Sequence, residues 1–393
     1  MHRPSGRVSD DRFSAWVCGD RSVLGQPAEG LIDLAVGVKD VIATSEFPTR
    51  LGGVFPSAVV DTLLQVSEAA CVTRLKSAGA VVGGKTVTAE LATYEPGPTV
   101  NPLAVDRTPG GSSSGSAAAV AAGDVRLAIA TQTAGSTIRP ASFCGTFGYK
   151  PSFGRYNLAG VLQTSPTLDT LGLIADGLPL IAAADAALQD FDNNSLDAKQ
   201  PKKLVLYRTG HWDQLPESHQ RGIEALAERL AAAFVEYQEQ DSVPALEALV
   251  DDQRVVHAGE LAAVLGWLLD EPEVEVSPAF HRFVAEGKAY LGDALDRARA
   301  NIVHARERTQ DYIKPGEVWL TPSVVSVAPL LGEGTGDPLF CRQWTALGVP
   351  CLSMPLLREE GTGLPYGPQF IMSATADRDL LAVGTYILSA LKR

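Results

Sequence analysis

Residues 109–123 read PGGSSSGSAAAVAAG, and the reading of this stretch governs how the rest of the chain is understood. A tract of glycine and serine is flexible as a tether. This one is short, however, and it runs straight into alanines and a valine that suit a packed helix. Glycines ahead of a helix N-terminus also cradle phosphates. Against that, the tract lacks the Lys-Ser/Thr ending of a Walker loop and is not GxGxxG. GSSSG (111–115) formally matches GxSxG, which would make Ser113 the nucleophile of a strand-to-helix elbow. Such an elbow needs a strand directly before it, and NPLAVDRTPG (101–110) is loop text. It also needs a histidine, and His211, His219, His257, His281 and His304 all fall in polar or helical segments. A serine still requires a base, and a lysine that is partly desolvated can serve as one. Lys39, at the end of the apolar run LIDLAVGVKDVI (31–42), is such a lysine, or else a strand-end lysine that snorkels to solvent.

Working outward, 31–42 and SAGAVVGGKT (77–86) read as buried strands, with helical spacing over 57–78 between them. SAAAVAAG (116–123) reads as a helix of small residues closed by Gly123. VRLAIATQT (125–133) is the next strand, and 134–154, dense in Gly and Pro, reads as a long loop. The polar segment 190–202 reads as surface loop, 203–208 as a strand, 217–234 as an amphipathic helix and 281–313 as one long charged helix. A strand is expected at 318–325 and a terminal helix over RDLLAVGTYILSALKR. Helix–strand alternation of this kind predicts an α/β layer with a largely parallel sheet. Strands at both ends of the chain can share that sheet, which favours one domain. No internal repeat is visible.

Composition narrows the function classes. The 393 residues are 45% hydrophobic and 20% charged, an ordinary globular balance. A net charge of −13 without a basic stripe argues against a nucleic-acid partner. No apolar run reaches the roughly 18 residues of a membrane span. The first residues show no apolar core of a signal peptide, so a cytoplasmic protein is expected. The five cysteines are scattered without a CxxC, and the six histidines form no HExxH. Neither a metal nor another cofactor is therefore expected.

Taken together, these segments resemble the amidase signature family. The match rests on GGSSSGSAAAVAAG (110–123) followed by TQTAGSTIRPASFCGTFGYKPS (131–152). VGVKD (36–40) and SAGAVVGGKTVTAEL (77–91) lie upstream; SPTLDTLG (165–172), LGVPCLSMP (347–355) and GLPYGPQFI (363–371) follow in order. The resemblance implies an α/β amidase-signature fold, with a large mixed, mostly parallel central sheet covered by helices on both faces. It implies a single amidase domain over 1–393: a signature core at 25–172, a variable substrate-shaping region at 173–320, and the C-terminal part of the core at 321–393.

It also implies a Ser–cis-Ser–Lys triad of Ser136 as nucleophile, Ser112 as bridging serine after a cis peptide bond, and Lys39 as base. The oxyanion hole would come from the backbone N–H groups of Thr133, Ala134, Gly135 and Ser136. Ala134 departs from the glycine that many members carry there. Ser113 would add a supporting hydrogen bond. Arg139 is read as gripping a substrate carboxylate, against the alternative that it braces its loop or pairs with Asp169. The implied function is an amidohydrolase acting through a serine acyl-enzyme on a small carboxylate-bearing amide or urea derivative. An A-type amidotransferase subunit working with partner subunits, a broad-specificity aryl or aliphatic amidase, and a non-catalytic scaffold are the competing readings. A homodimer is compatible with the sequence.

Overall fold

The apolar runs fold as strands of one mixed sheet in the computed structural model, which describes residues 11–189 and 197–392. In the first half lie β1 (Trp16–Gly19), β2 (Ala35–Lys39), α1 (Ser57–Leu64), α2 (Ala70–Ser77) and β3 (Val81–Thr86). Next come α3 (Ser114–Ala121), β4 (Leu127–Gln132), α4 (Ile138–Cys144), β5 (Phe147–Lys150), β6 (Thr170–Ala175) and α5 (Leu178–Gln189). The second half holds β7 (Lys203–Tyr207), α6 (Glu217–Ala231), β8 (Glu236–Gln240), α7 (Pro244–Leu265), α8 (Pro278–Tyr290), α9 (Asp293–Glu307) and α10 (Thr309–Tyr312). It closes with β9 (Glu317–Pro322), α11 (Leu339–Leu347), β10 (Cys351–Ser353), β11 (Pro368–Ile371) and α12 (Asp377–Ala390). Most of the polar segment expected as a loop at 190–202 lies outside the described residues.

Strand order is β1-β3-β2-β4-β6-β5-β10-β11-β9-β7-β8. Strands from both halves thus share a sheet flanked by helices. Pairing is parallel for β3–β2–β4 and for β9–β7–β8, and antiparallel for the other ladders. The parallel character expected from helix–strand alternation is confined to these two flanks. The centre, β4-β6-β5-β10-β11-β9, is antiparallel: β5–β6 and β10–β11 pair successive strands with no helix between them, while β5–β10 and β9–β11 join segments farther apart in sequence. Among the described residues, no helix is long and apolar enough to cross a membrane.

Three expected elements differ. The helical spacing over 57–78 is divided, because Gln65 takes a left-handed conformation (φ 64°) that ends α1. The charged stretch 281–313 is broken at Gly292 (φ 87°) and again at Arg308 into α8, α9 and α10. The expected loop at 134–154 contains α4 and β5. The Gln132 side chain accepts from the N–H groups of Thr137 and Ile138, both at 3.0 Å, and so caps α4 where no Ser, Thr or Asp cap does. Pro140 sits in the first turn, where its missing N–H costs little, and Gly145 (φ 66°) closes the helix.

What positions the site is the carboxyl end of the parallel flank. β2 and β4 run side by side, with Val38 opposite Ile129, so Lys39 and Thr131 emerge at the same edge. Behind them lies α3, whose Ala117, Ala118 and Ala119 have no exposed surface. Its small residues let it press onto the sheet, and Ser116 Oγ meets Thr86 Oγ1 at 2.7 Å. A Cβ on Gly115 would stand 2.2 Å from the Ala15 carbonyl and 2.3 Å from the Val87 nitrogen. No side chain fits there.

Candidate active site

Lys39 ends β2 with none of its side chain exposed. Its Nζ donates to Ser112 Oγ at 2.7 Å and to Thr131 Oγ1 at 2.7 Å. Burial pulls its pKa down to about 7; the Arg139 charge pushes the same way, and Asp169 opposes. An ammonium shut away from water is disfavoured, so near neutrality the amine carries a lone pair for a substantial part of the time. Ser112 follows Gly111 through a cis peptide bond, as the resemblance implies.

The two serine segments touch. The N–H of Ser113 donates to the Ser136 carbonyl at 3.3 Å, and Ser113 Oγ donates to the Thr131 carbonyl at 3.3 Å. Ser113 therefore ties the loop of Ser136 to the end of β4, with its backbone as much as its hydroxyl. Ser136 is partly exposed, whereas Ser112 and Ser113 are buried.

Residues 133–136 form a loop whose carbonyls are all held from outside. Thr133 O accepts from Gln253 Nε2 (2.9 Å), and Ala134 O from Thr345 Oγ1 (2.7 Å). Gly135 O accepts from the Arg139 N–H (2.9 Å), and Ser136 O from Ser113. The N–H groups of these four residues have no acceptor among the described residues. A loop with its acceptors consumed and its donors free is equipped to hold a developing oxyanion. Thr133 is fixed further by Asp169, whose buried carboxylate accepts from Thr133 Oγ1 at 2.5 Å and from the N–H groups of Thr164 and Ser165. Burial pushes the Asp169 carboxyl up, and these donors pull it back.

Arg139, only 4% exposed, does brace its surroundings. Nε donates to Thr335 O (2.9 Å), and Nη2 donates to Gly111 O (2.6 Å) and Thr335 Oγ1 (3.3 Å). Thr335 belongs to a strap over 330–338 in which Gly332, Gly334 and Gly336 all have φ between 81° and 91°, a conformation that favours glycine. Asp169 is engaged elsewhere, and Arg139 forms no ion pair among the described residues. Its Nη1 is buried without a hydrogen-bond partner.

The structure thus brings Lys39 and Ser112 into direct contact, and sets Ser113, Ser136 and Arg139 around them. Sequence reasoning did not find Gln132, Gln253, Thr335 or Thr345. Gln253 carried no usable signal, since it stands in the polar run DDQR (251–254), which reads as a solvated helix face.

A family model for Amidase matches residues 18–381. The A-type subunit of the glutamyl-tRNA(Gln) amidotransferase from Oleidesulfovibrio alaskensis is 31% identical over 412 residues, covering 91% of this chain and 83% of the relative. The protein of the same name from Mycobacteroides abscessus is 28% identical, covering 93% and 85%. Among solved structures, an amidase crystal structure superposes with a TM-score of 0.82 at 27% identity, covering 96% of this chain and 92% of the other. The A-type subunit of the Thermotoga maritima amidotransferase shares the fold, with a TM-score of 0.79 at 23% identity over 96% of this chain and 88% of that one.

Proposed function

Since the chain belongs to the amidase family, we propose that it is an amidohydrolase that cleaves small carboxylate-bearing amides or urea derivatives through an acyl-enzyme at Ser136. The contact that carries the reading is that of buried Lys39 with Ser112, in a loop bonded to Ser136. Ser136 Oγ attacks the amide carbon and passes its proton to Ser112 Oγ, whose own proton goes to neutral Lys39. The oxyanion takes the free amides of 133–136. On collapse the relay runs backward, and the proton returns through Ser112 to the leaving nitrogen. Water then enters, the same relay deprotonates it, and the ester at Ser136 is hydrolysed.

The carboxylate preference rests on Arg139. A buried guanidinium with no counter-ion and one idle nitrogen is costly, and an anion placed at Nη1 relieves that cost. All five cysteines are free, which suits a single-domain enzyme working in the reducing cytoplasm.

Ammonia or amine release from malonamate-type amides, with labelling of Ser136 by a neutral fluorophosphonate, tests the reading. S136A should abolish both, and full turnover by that variant would overturn it. A second reading, as one component of an amidotransferase, draws on the names of the curated relatives. It requires that turnover depend on a partner protein and an amide-nitrogen donor such as glutamine.

A further inference from the structure

Two cavities flank the strap beside the oxyanion loop. Tyr94, Gly336 and Asp337 line both and form the wall between them. The first, about 520 Å3, is bounded beyond that wall by Gln214, Val325, Pro329 and Glu333 and has no cation in its lining. The second, about 400 Å3, has three: Arg254, Arg282 and Arg342. This second cavity approaches the 133–136 loop. Pro338, in its lining, stands 3.0 Å from where a side chain on Gly135 would begin. The Arg139 side chain lies just behind Gly336.

Glu286 and Asp337 share this lining, so three guanidiniums face two carboxylates and the arginines are only partly neutralised. Glu286 holds Arg254 through Nε at 2.7 Å, leaving its other N–H groups for a ligand. Asp337 approaches Arg342 only at 3.5 Å, and Arg282 makes no ion pair among the described residues. The ring of Tyr94 packs edge-on against Phe283; burial and Glu286 push its hydroxyl pKa up, and Arg342, Arg139 and Arg254 pull it back. On a chain of net charge −13, positive potential gathered in one small cavity selects and steers anions that the rest of the surface repels.

We propose, resting on the amidohydrolase reading, that this cavity is the subsite for the acidic end of the substrate, with Arg342 and Arg254 as its specificity-determining residues. The subsite takes the carboxylate of longer amides, several bonds from the scissile carbonyl and past the strap, whereas a carboxylate at malonamate length stays beside Arg139. The cation-free cavity takes the uncharged side of the substrate.

A chain-length series of ω-carboxylated primary amides, each beside its neutral analogue, tests this. The wild type should favour the carboxylated partner. R342Q and R254Q should each lower the ratio of kcat/KM for carboxylated over neutral amide by about 10-fold or more, chiefly through KM, the size of one lost charge-assisted contact. R342K, which keeps the charge, should retain most of the ratio, and R221Q on α6, the same charge change elsewhere, should leave it unchanged. Fluorophosphonate labelling of Ser136 certifies that each variant is folded. An unchanged ratio in both glutamine variants, or a wild type indifferent to the carboxylate, overturns the subsite while leaving the amidohydrolase reading intact. That reading falls separately, by turnover in S136A.

Discussion

The side-chain amide of Gln253, in the middle of α7, holds the carbonyl of Thr133 at 2.9 Å across 120 residues of chain. The bond fixes one end of the loop whose free N–H groups are assigned to the oxyanion in the proposed mechanism. Q253L removes it and leaves a buried carbonyl unpaired. If the loop's donors act on the transition state as proposed, kcat should fall about 10-fold with a smaller change in KM. Steady-state kinetics on one good amide substrate would check this, and a change in KM alone would contradict it.

The pH profile follows from Lys39. In the proposed relay its unprotonated form accepts the proton, and burial brings its pKa down to about 7. Below that pH, kcat/KM should fall about tenfold per unit, with a plateau above it. K39A should be almost inactive, and its residual rate should show no inflection near pH 7.

Asp169 offers a second handle on the same titration. Its charge favours protonated Lys39, so D169N should lower the Lys39 pKa and move the acid limb to lower pH. T133V breaks the Thr133–Asp169 hydrogen bond but keeps the carboxylate. That variant should lose rate without moving the inflection, which separates charge from positioning.

Arg139 should reveal two duties on substitution. R139K abandons the bonds to Gly111 and Thr335, which one ammonium cannot replace. Neutral amides should lose about 10-fold in kcat/KM and carboxylated amides about 100-fold, since the second group also loses an ionic contact. Equal losses on both would leave bracing as its whole role.

G115A should destabilise the fold by about 3 kcal/mol, because its Cβ would overlap the backbone of Ala15 and Val87. Urea unfolding monitored by tryptophan fluorescence gives the number. Should the variant unfold at the wild-type midpoint, α3 would have to be less tightly seated than described.

The groups read from sequence are those carried by contiguous motifs. Lys39 ends an apolar strand, and Ser112 and Ser136 sit in segments whose local pattern is distinctive. The reading of 134–154 as loop failed because Gly and Pro density hides α4, which is capped by the side chain of Gln132 rather than by a neighbouring residue. The antiparallel centre was equally hidden. β5 finds its partner β10 some 200 residues later, with Tyr149 opposite Leu352, and no local periodicity encodes such a pairing. Gln253, Thr335 and Thr345 escaped for the same reason, since each works through a bond to a segment far away in the chain.

The free-donor loop has a consequence for how the protein comes into being. The groups assigned to the proposed chemistry all lie before residue 140, but the loop is held by Gln253 and Thr345, and Arg139 is seated on Thr335. A chain emerging from the ribosome exposes every group assigned to the chemistry when little more than a third of it has been made. Those groups cannot be set in order until α11 is out. Activity should therefore switch on late and all at once during synthesis, and amino-terminal fragments should stay inert however many of the reacting residues they contain.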